Sequence, residues 1–192
     1  MARRLALSAD HPLRKLFRMA LDFGFRENPA DKPGIENYLE EQILCEFIHT
    51  ENLFKIKDAA GKPLEDVADL LSEGDIRLNA SSFPREFEVH KHIGDYTLFM
   101  LGMFPAALTR SSGKEFILGR LVIPGSALYE HYLLQGRRSY SLASQFTDRD
   151  LYLELSTNFL LYRNVLELVR IFLETATSSG YFRAKRVISD TE

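Results

Sequence analysis

Glu88, His92 and Asp95 are spaced by four and then three residues. On a helix that spacing puts all three side chains within one narrow sector. A histidine between two carboxylates suits general acid–base chemistry near neutral pH. Either acid can orient the ring, and both charges would raise its pKa. These three are the candidate catalytic residues. The same constellation also serves as a boundary ion-pair cluster with no chemical role, and that is the plainer expectation.

His90-Lys91-His92 suggests a metal pair only if the segment is a strand. In a helix, residues i and i+2 point about 200° apart, so the two rings cannot grip one ion. Glu46-Phe47-Ile48-His49 has the Glu-x-x-His spacing of carboxylate-bridged di-metal bundles. A second such motif and two further glutamates are missing. Glu130-His131 are adjacent and diverge, and Glu154 has no histidine three residues on. No metal and no cofactor are therefore expected.

Glu46 falls on a helical wheel among Leu39, Ile43, Thr50 and Leu53, so it is either buried and paired or faces a cavity. Asn158 sits in an apolar face between Leu151, Leu155, Tyr162 and Val165. A buried amide must find partners, most simply a bond that fixes helix register. If a small-molecule site exists inside the bundle, Asn158, Tyr132 and Tyr162 would donate hydrogen bonds to it. Glu46, His49 or His131 would then face His92 across a cavity. Arg137 and Arg138 could clamp a phosphate or carboxylate, although such a pair is more often a solvated face. Neighbouring Gly136 suggests a close helix approach or a bend.

The elements that position these residues read as helices. Residues 12–23 form the first, with Asp10 as cap, Pro12 in the first turn and Leu13, Leu16, Phe17, Ala20 and Leu21 inward. Residues 35–54 form the second, and a short one runs from Pro63 to Leu71. The histidine-bearing helix, 84–104, starts amphipathic and ends apolar on almost every side. It runs from solvent into the centre of a domain and stops near Pro105. Another spans about Ser126 to Phe146. The last, 148–175, opens on Thr147-Asp148-Arg149-Asp150, which resembles a capping arrangement. It carries Arg163, Glu167, Arg170 and Glu174 as an outer stripe of alternating sign. Residues 116–123 are too short to settle by periodicity. With no convincing partner strand, a helical or irregular segment is expected there. The fold expectation is all-α: one domain, a bundle of five to six helices over 1–192, with 84–104 and 148–175 central and frayed ends at 1–10 and 176–192.

The chain carries 24 Lys+Arg against 27 Asp+Glu, a formal charge of -3, so it has no global attraction for nucleic acid or an anionic bilayer. A single cysteine, Cys45, excludes an intramolecular disulfide and suits a reducing cytoplasm. The longest uncharged run, Tyr96 to Thr109, is shorter than the roughly 20 residues of a membrane span. No phosphate-binding loop, dinucleotide-binding glycine pattern, nucleophile elbow or zinc-ligand spacing is present. The expected function is a soluble, cytoplasmic, non-catalytic helical protein that binds a protein partner or forms a homodimer. The alternative is an enzyme or small-ligand binder with the His/carboxylate site inside the bundle.

Overall fold

The computed structural model describes residues 7–8, 10–29, 34–64, 67–75, 81–109, 115–118 and 121–176. The fold is an all-α bundle with one small hairpin. Helix α1 (Pro12–Glu27) is followed by α2 (Ile35–Tyr38), which runs directly into a π-helical stretch, Leu39–Cys45. Short helices α3 (Thr50–Leu53) and α4 (Val67–Glu73) precede the central helix α5 (Phe83–Met103). Then come α6 (Pro105–Thr109), β1 (Glu115–Leu118), β2 (Leu121–Pro124) and a 3-10 turn, Gly125–Ala127. Helices α7 (Leu128–Ala143), α8 (Arg149–Thr157) and α9 (Phe159–Thr175) complete the order. Among the described residues no helix is long and apolar enough to cross a membrane.

Helix α5 is the hub. The Ser82 hydroxyl accepts from the Arg85 amide at its start, and from His92 to Met103 every residue is buried. A helix apolar on all sides must be covered on all sides, and α7, α9, α4, α6 and the π-helical stretch do so. The approach of α7 is close. A Cβ on Gly94 would stand 2.6 Å from the Tyr140 ring. One on Gly136 would stand 2.3 Å from Thr97 Oγ1 and 2.6 Å from Phe159. Only glycine permits that spacing, so Gly136 marks a close helix approach. Helix α1 lies along α9, burying Phe17, Ala20 and Leu21 as its periodicity predicts. Its cap is His11, whose side chain accepts from the Leu13 amide at 3.2 Å, in place of the expected Asp10.

Further expectations are corrected: Pro63 pairs with Lys57 in an isolated bridge, and the short helix expected from Pro63 is α4, Val67–Glu73. The 35–54 helix is interrupted: the π-helical stretch widens it, and at His49 the backbone turns extended before α3 begins. The 148–175 helix is broken at Asn158, whose φ of -102° and ψ of 27° interrupt the helical path between α8 and α9. The apolar period runs through the break, which is why it reads as one helix. The start of α8 is not a capping box: Asp148 sits in the left-handed region, φ 42°, and makes no side-chain cap bond. Finally, 115–124 forms an antiparallel hairpin, with Phe116 opposite Ile123, Ile117 opposite Val122 and Leu118 opposite Leu121. The partner strand lay within the same apolar run, divided by Gly119 and Arg120.

Candidate functional site

The buried polar groups of α5 lie where its solvent-facing half passes into the core. Asp95 is 1% exposed. Its Oδ1 accepts from the Tyr38 hydroxyl at 2.6 Å and from the Tyr140 hydroxyl at 2.9 Å. Its Oδ2 accepts from Lys91 Nζ at 2.6 Å, one helical turn back. Lys91 Nζ also lies 5.3 Å from the centre of the Tyr38 ring. Tyr152 closes the cluster, stacked on Tyr140 at 6.1 Å and set edge-on to Tyr38 at 6.1 Å. One carboxylate thus ties α2, α5 and α7 together, with α8 packed alongside.

Burial, and then the charge on Asp95, hold the Tyr38 and Tyr140 phenols well above their ordinary range. The same causes push Tyr152 up to about 12. These hydroxyls are hydrogen-bond donors at neutral pH, not bases. The carboxylate accepts three bonds, two of them from groups that anchor other helices.

His92, 0% exposed, is placed differently. Its Nε2 lies 3.1 Å from the carbonyl oxygen of Leu53. A carbonyl only accepts, so Nε2 carries the proton and donates, which leaves Nδ1 as a lone-pair acceptor. That Nδ1 is buried and, among the described residues, has no hydrogen-bond partner. Phe47 and Tyr96 flank the ring at 6.0 and 6.2 Å. Burial, and then the nearby Lys55, lower its pKa to about 4, while Asp95 opposes the shift. The expected rise beside carboxylates is therefore reversed: desolvation of the ring outweighs the one acid close to it.

His90 is also buried. Its Nδ1 lies 3.5 Å from Ser139 Oγ on α7, and its other nitrogen bonds the Gly74 backbone. Burial and then Arg138 lower its pKa to about 4, against the pull of Asp75.

The Glu88–His92–Asp95 constellation does not assemble. Glu88 is 56% exposed and pairs with Arg85 at 3.1 Å. His92 faces the Leu53 carbonyl, and Asp95 faces Tyr38, Tyr140 and Lys91. The Glu-x-x-His spacing is lost as well. His49 is exposed beyond the helix break, and Glu46 accepts from Asn52 Nδ2 at 3.1 Å. Asn158 donates to Glu154 Oε1 at 2.7 Å, and Tyr162 donates to the same oxygen at 2.7 Å, a bond set across the α8–α9 break. Among the described residues Asn158 and His92 share no bonding partner.

Tyr132 is half-buried with its ring 6.0 Å from Tyr96, and His131 is half-buried on the same helix. Arg137 and Arg138 are exposed. Arg137 Nε reaches the Ser156 carbonyl at 3.4 Å, and Ser156 Oγ donates back to the Arg137 carbonyl at 2.8 Å, so this pair clips α7 to α8. Among the described residues no group of three or more His, Cys, Asp or Glu converges as metal ligands would. Burial pushes the Cys45 thiol up to about 11, so it is not a thiolate at neutral pH.

Sequence reasoning missed Tyr38, Tyr140, Tyr152 and Lys91. One signal pointed to them: an aspartate inside an apolar helix must be paired, and Lys91 lies four residues before it. It also missed Glu40, a buried carboxylate in the π-helical stretch. Glu40 pairs with Arg14 and, at 2.9 Å, with Arg18, both on α1. No protein-family model, curated protein or solved structure matches the chain.

Proposed function

We propose that the protein is a cytoplasmic, non-catalytic helical protein that binds another polypeptide, a second copy of itself included. The observation that carries this reading is an exposed aromatic surface at the start of α5. Phe83 is 64% exposed and Phe146 is 36% exposed, with their rings 6.5 Å apart. Half-buried Phe87 lies 6.1 Å from Phe146 and 5.7 Å from Tyr152, which roots the surface in the core. Exposed polar residues 145 and 147–150 border it. Anchored aromatics inside a polar rim are what polypeptide interfaces use at their centres.

The interior supports the same reading. Asp95, Glu40, Glu46 and Glu154 each bond to groups that hold one segment to another, rather than converging on a common point. The single thiol supports the location.

The test is Phe83→Glu, with Phe146→Ser as a second variant. Self-association is read by sedimentation velocity over a concentration series, and a partner by cross-links mapped to this face. Either association should weaken at least about tenfold, equivalent to about 1.4 kcal/mol, with unchanged helical circular dichroism. A chain that stays monomeric at every concentration and forms no cross-links through Phe83 or Phe146 would refute the reading.

A further inference from the structure

His92 differs from the other buried polar side chains of α5 in being half satisfied. Its single N–H is spent on the Leu53 carbonyl, at the end of α3. Its Nδ1 is enclosed without a donor. Leu53 and Ile56 are themselves buried, so among the described residues the ring is the buried polar contact between α5 and the segment that follows the π-helical stretch; Arg85 Nη2 adds an exposed one, donating to the Lys57 carbonyl at 2.6 Å.

We propose that His92 is an acid-sensitive latch, holding the segment from Phe47 to Leu64 against α5 while neutral and releasing it when protonated.

The geometry dictates the direction. A proton on Nδ1 would create a buried N–H with no acceptor. The charged groups that bear on the ring are Lys55, from the segment itself, and Lys91 and Asp95, from α5. Both lysines repel an imidazolium. Asp95 attracts it, but its oxygens already accept from Tyr38, Tyr140 and Lys91. The uncharged neighbours, Phe47 and Tyr96, supply ring edges and faces in place of an acceptor aimed at Nδ1. Relief comes from hydrating the ring, and that requires Leu53 and Lys55 to move away. His90 has partners at both nitrogens, Ser139 and Gly74, so it provides an internal control.

Linkage sets the size of the effect. The closed ring titrates at about 4 and a hydrated ring at 6.5, so the opening equilibrium should rise about tenfold per pH unit below about 6. It should approach 100-fold near pH 4.5.

The test is amide hydrogen exchange on the full chain between about pH 8 and pH 4.5, corrected for intrinsic exchange. It is read at the amides of Asn52 and Leu64, which donate to the His49 and Ile56 carbonyls. Wild type and His90→Gln should show the steep rise. His92→Gln, which keeps an N–H for the Leu53 carbonyl but cannot titrate, should be flat. A rise retained in His92→Gln, or absent from wild type, would overturn the proposal. Should His92→Gln fail to fold, nitrogen-15 histidine spectra of the wild type decide. The expected result is an Nε2-protonated ring that gains its second proton together with exposure of Asn52. A ring titrating near 6.5 while Asn52 stays protected would overturn the latch.

Discussion

Asp95 and His92 lie three residues apart on α5 and are equally hidden from solvent, yet their surroundings are unlike. Asp95 faces helices that bring donors to it: two phenols and an ammonium meet its two oxygens. His92 faces the α3 turn, which brings one acceptor and no donor, so half the ring is unpaired. A buried polar group that is fully bonded fixes the elements around it. One that is partly bonded leaves a group whose protonation state depends on the contact staying closed. The α7 side of the helix is therefore the anchor, and the α3 side is the place where solution conditions can act.

The largest expected effect breaks the anchor. Asp95→Ala strands the Tyr38 and Tyr140 hydroxyls and the Lys91 charge, and should cost about 3–5 kcal/mol of stability in urea denaturation. Asp95→Asn, which keeps acceptors for the phenols and loses the charge, should fall between that variant and wild type. Equal stability of all three would mean that the network contributes nothing.

The buried histidines, His92 on the α3 side and His90 beside Ser139 of α7, should show themselves in pH dependence. Both buried histidines have folded pKa values near 4, below the unfolded 6.5. The unfolded chain then binds more protons between those values, so stability is highest above about 6.5 and falls as the pH drops towards 4. Each histidine should contribute a loss of up to about 3 kcal/mol. The His90→Gln/His92→Gln double variant should flatten this limb in denaturation measured pH by pH, leaving the carboxylate-driven loss below it.

A smaller effect sharpens the contrast from the backbone. Gly94→Ala should gain helix propensity of about 1 kcal/mol, but its methyl meets the buried Tyr140 ring at 2.6 Å. Overpacking of about 1–3 kcal/mol should win, so the variant melts lower. Because Tyr140 must shift, the exchange protection of α7 should fall before that of α3. The smallest effect is Glu88→Gln. This acid is exposed and, among the described residues, forms its ion pair with Arg85, so thermal melts should move by no more than about 0.5 kcal/mol equivalent.

These contrasts also explain what could be read from the chain. Helix α5 was legible at both ends because Ser82-Phe83-Pro84 starts it, Pro105 ends it, and its apolar half has no polar stripe. The inner face of α9 was legible too: Tyr162, Val165, Leu166, Val169 and Leu173 are all buried, as their spacing requires. The break at Asn158 was not, because it is set by the Glu154 and Tyr162 bonds while the apolar period carries straight across it. The hairpin is not legible because its two strands are four residues each and lie in one short apolar stretch. In the candidate site, His92 and Asp95 stand out by residue type, but the hydrogen bonds they make go to different partners. Spacing along one helix says which side chains lie on one sector, not what the neighbouring elements bring to them. The two phenols that donate to Asp95 come from 57 and 45 residues away, a pairing that only tertiary packing supplies.

The proposed function requires a polar interior that joins helices rather than serving a reaction, and a surface that binds polypeptide. Native mass spectrometry of the purified full chain tests it most directly. The expected result is the mass of the polypeptide alone, of its multiples, or of a complex with another polypeptide. A stoichiometric small molecule bound to wild type, and lost from a folded Asp95→Asn or His92→Gln variant, would contradict it.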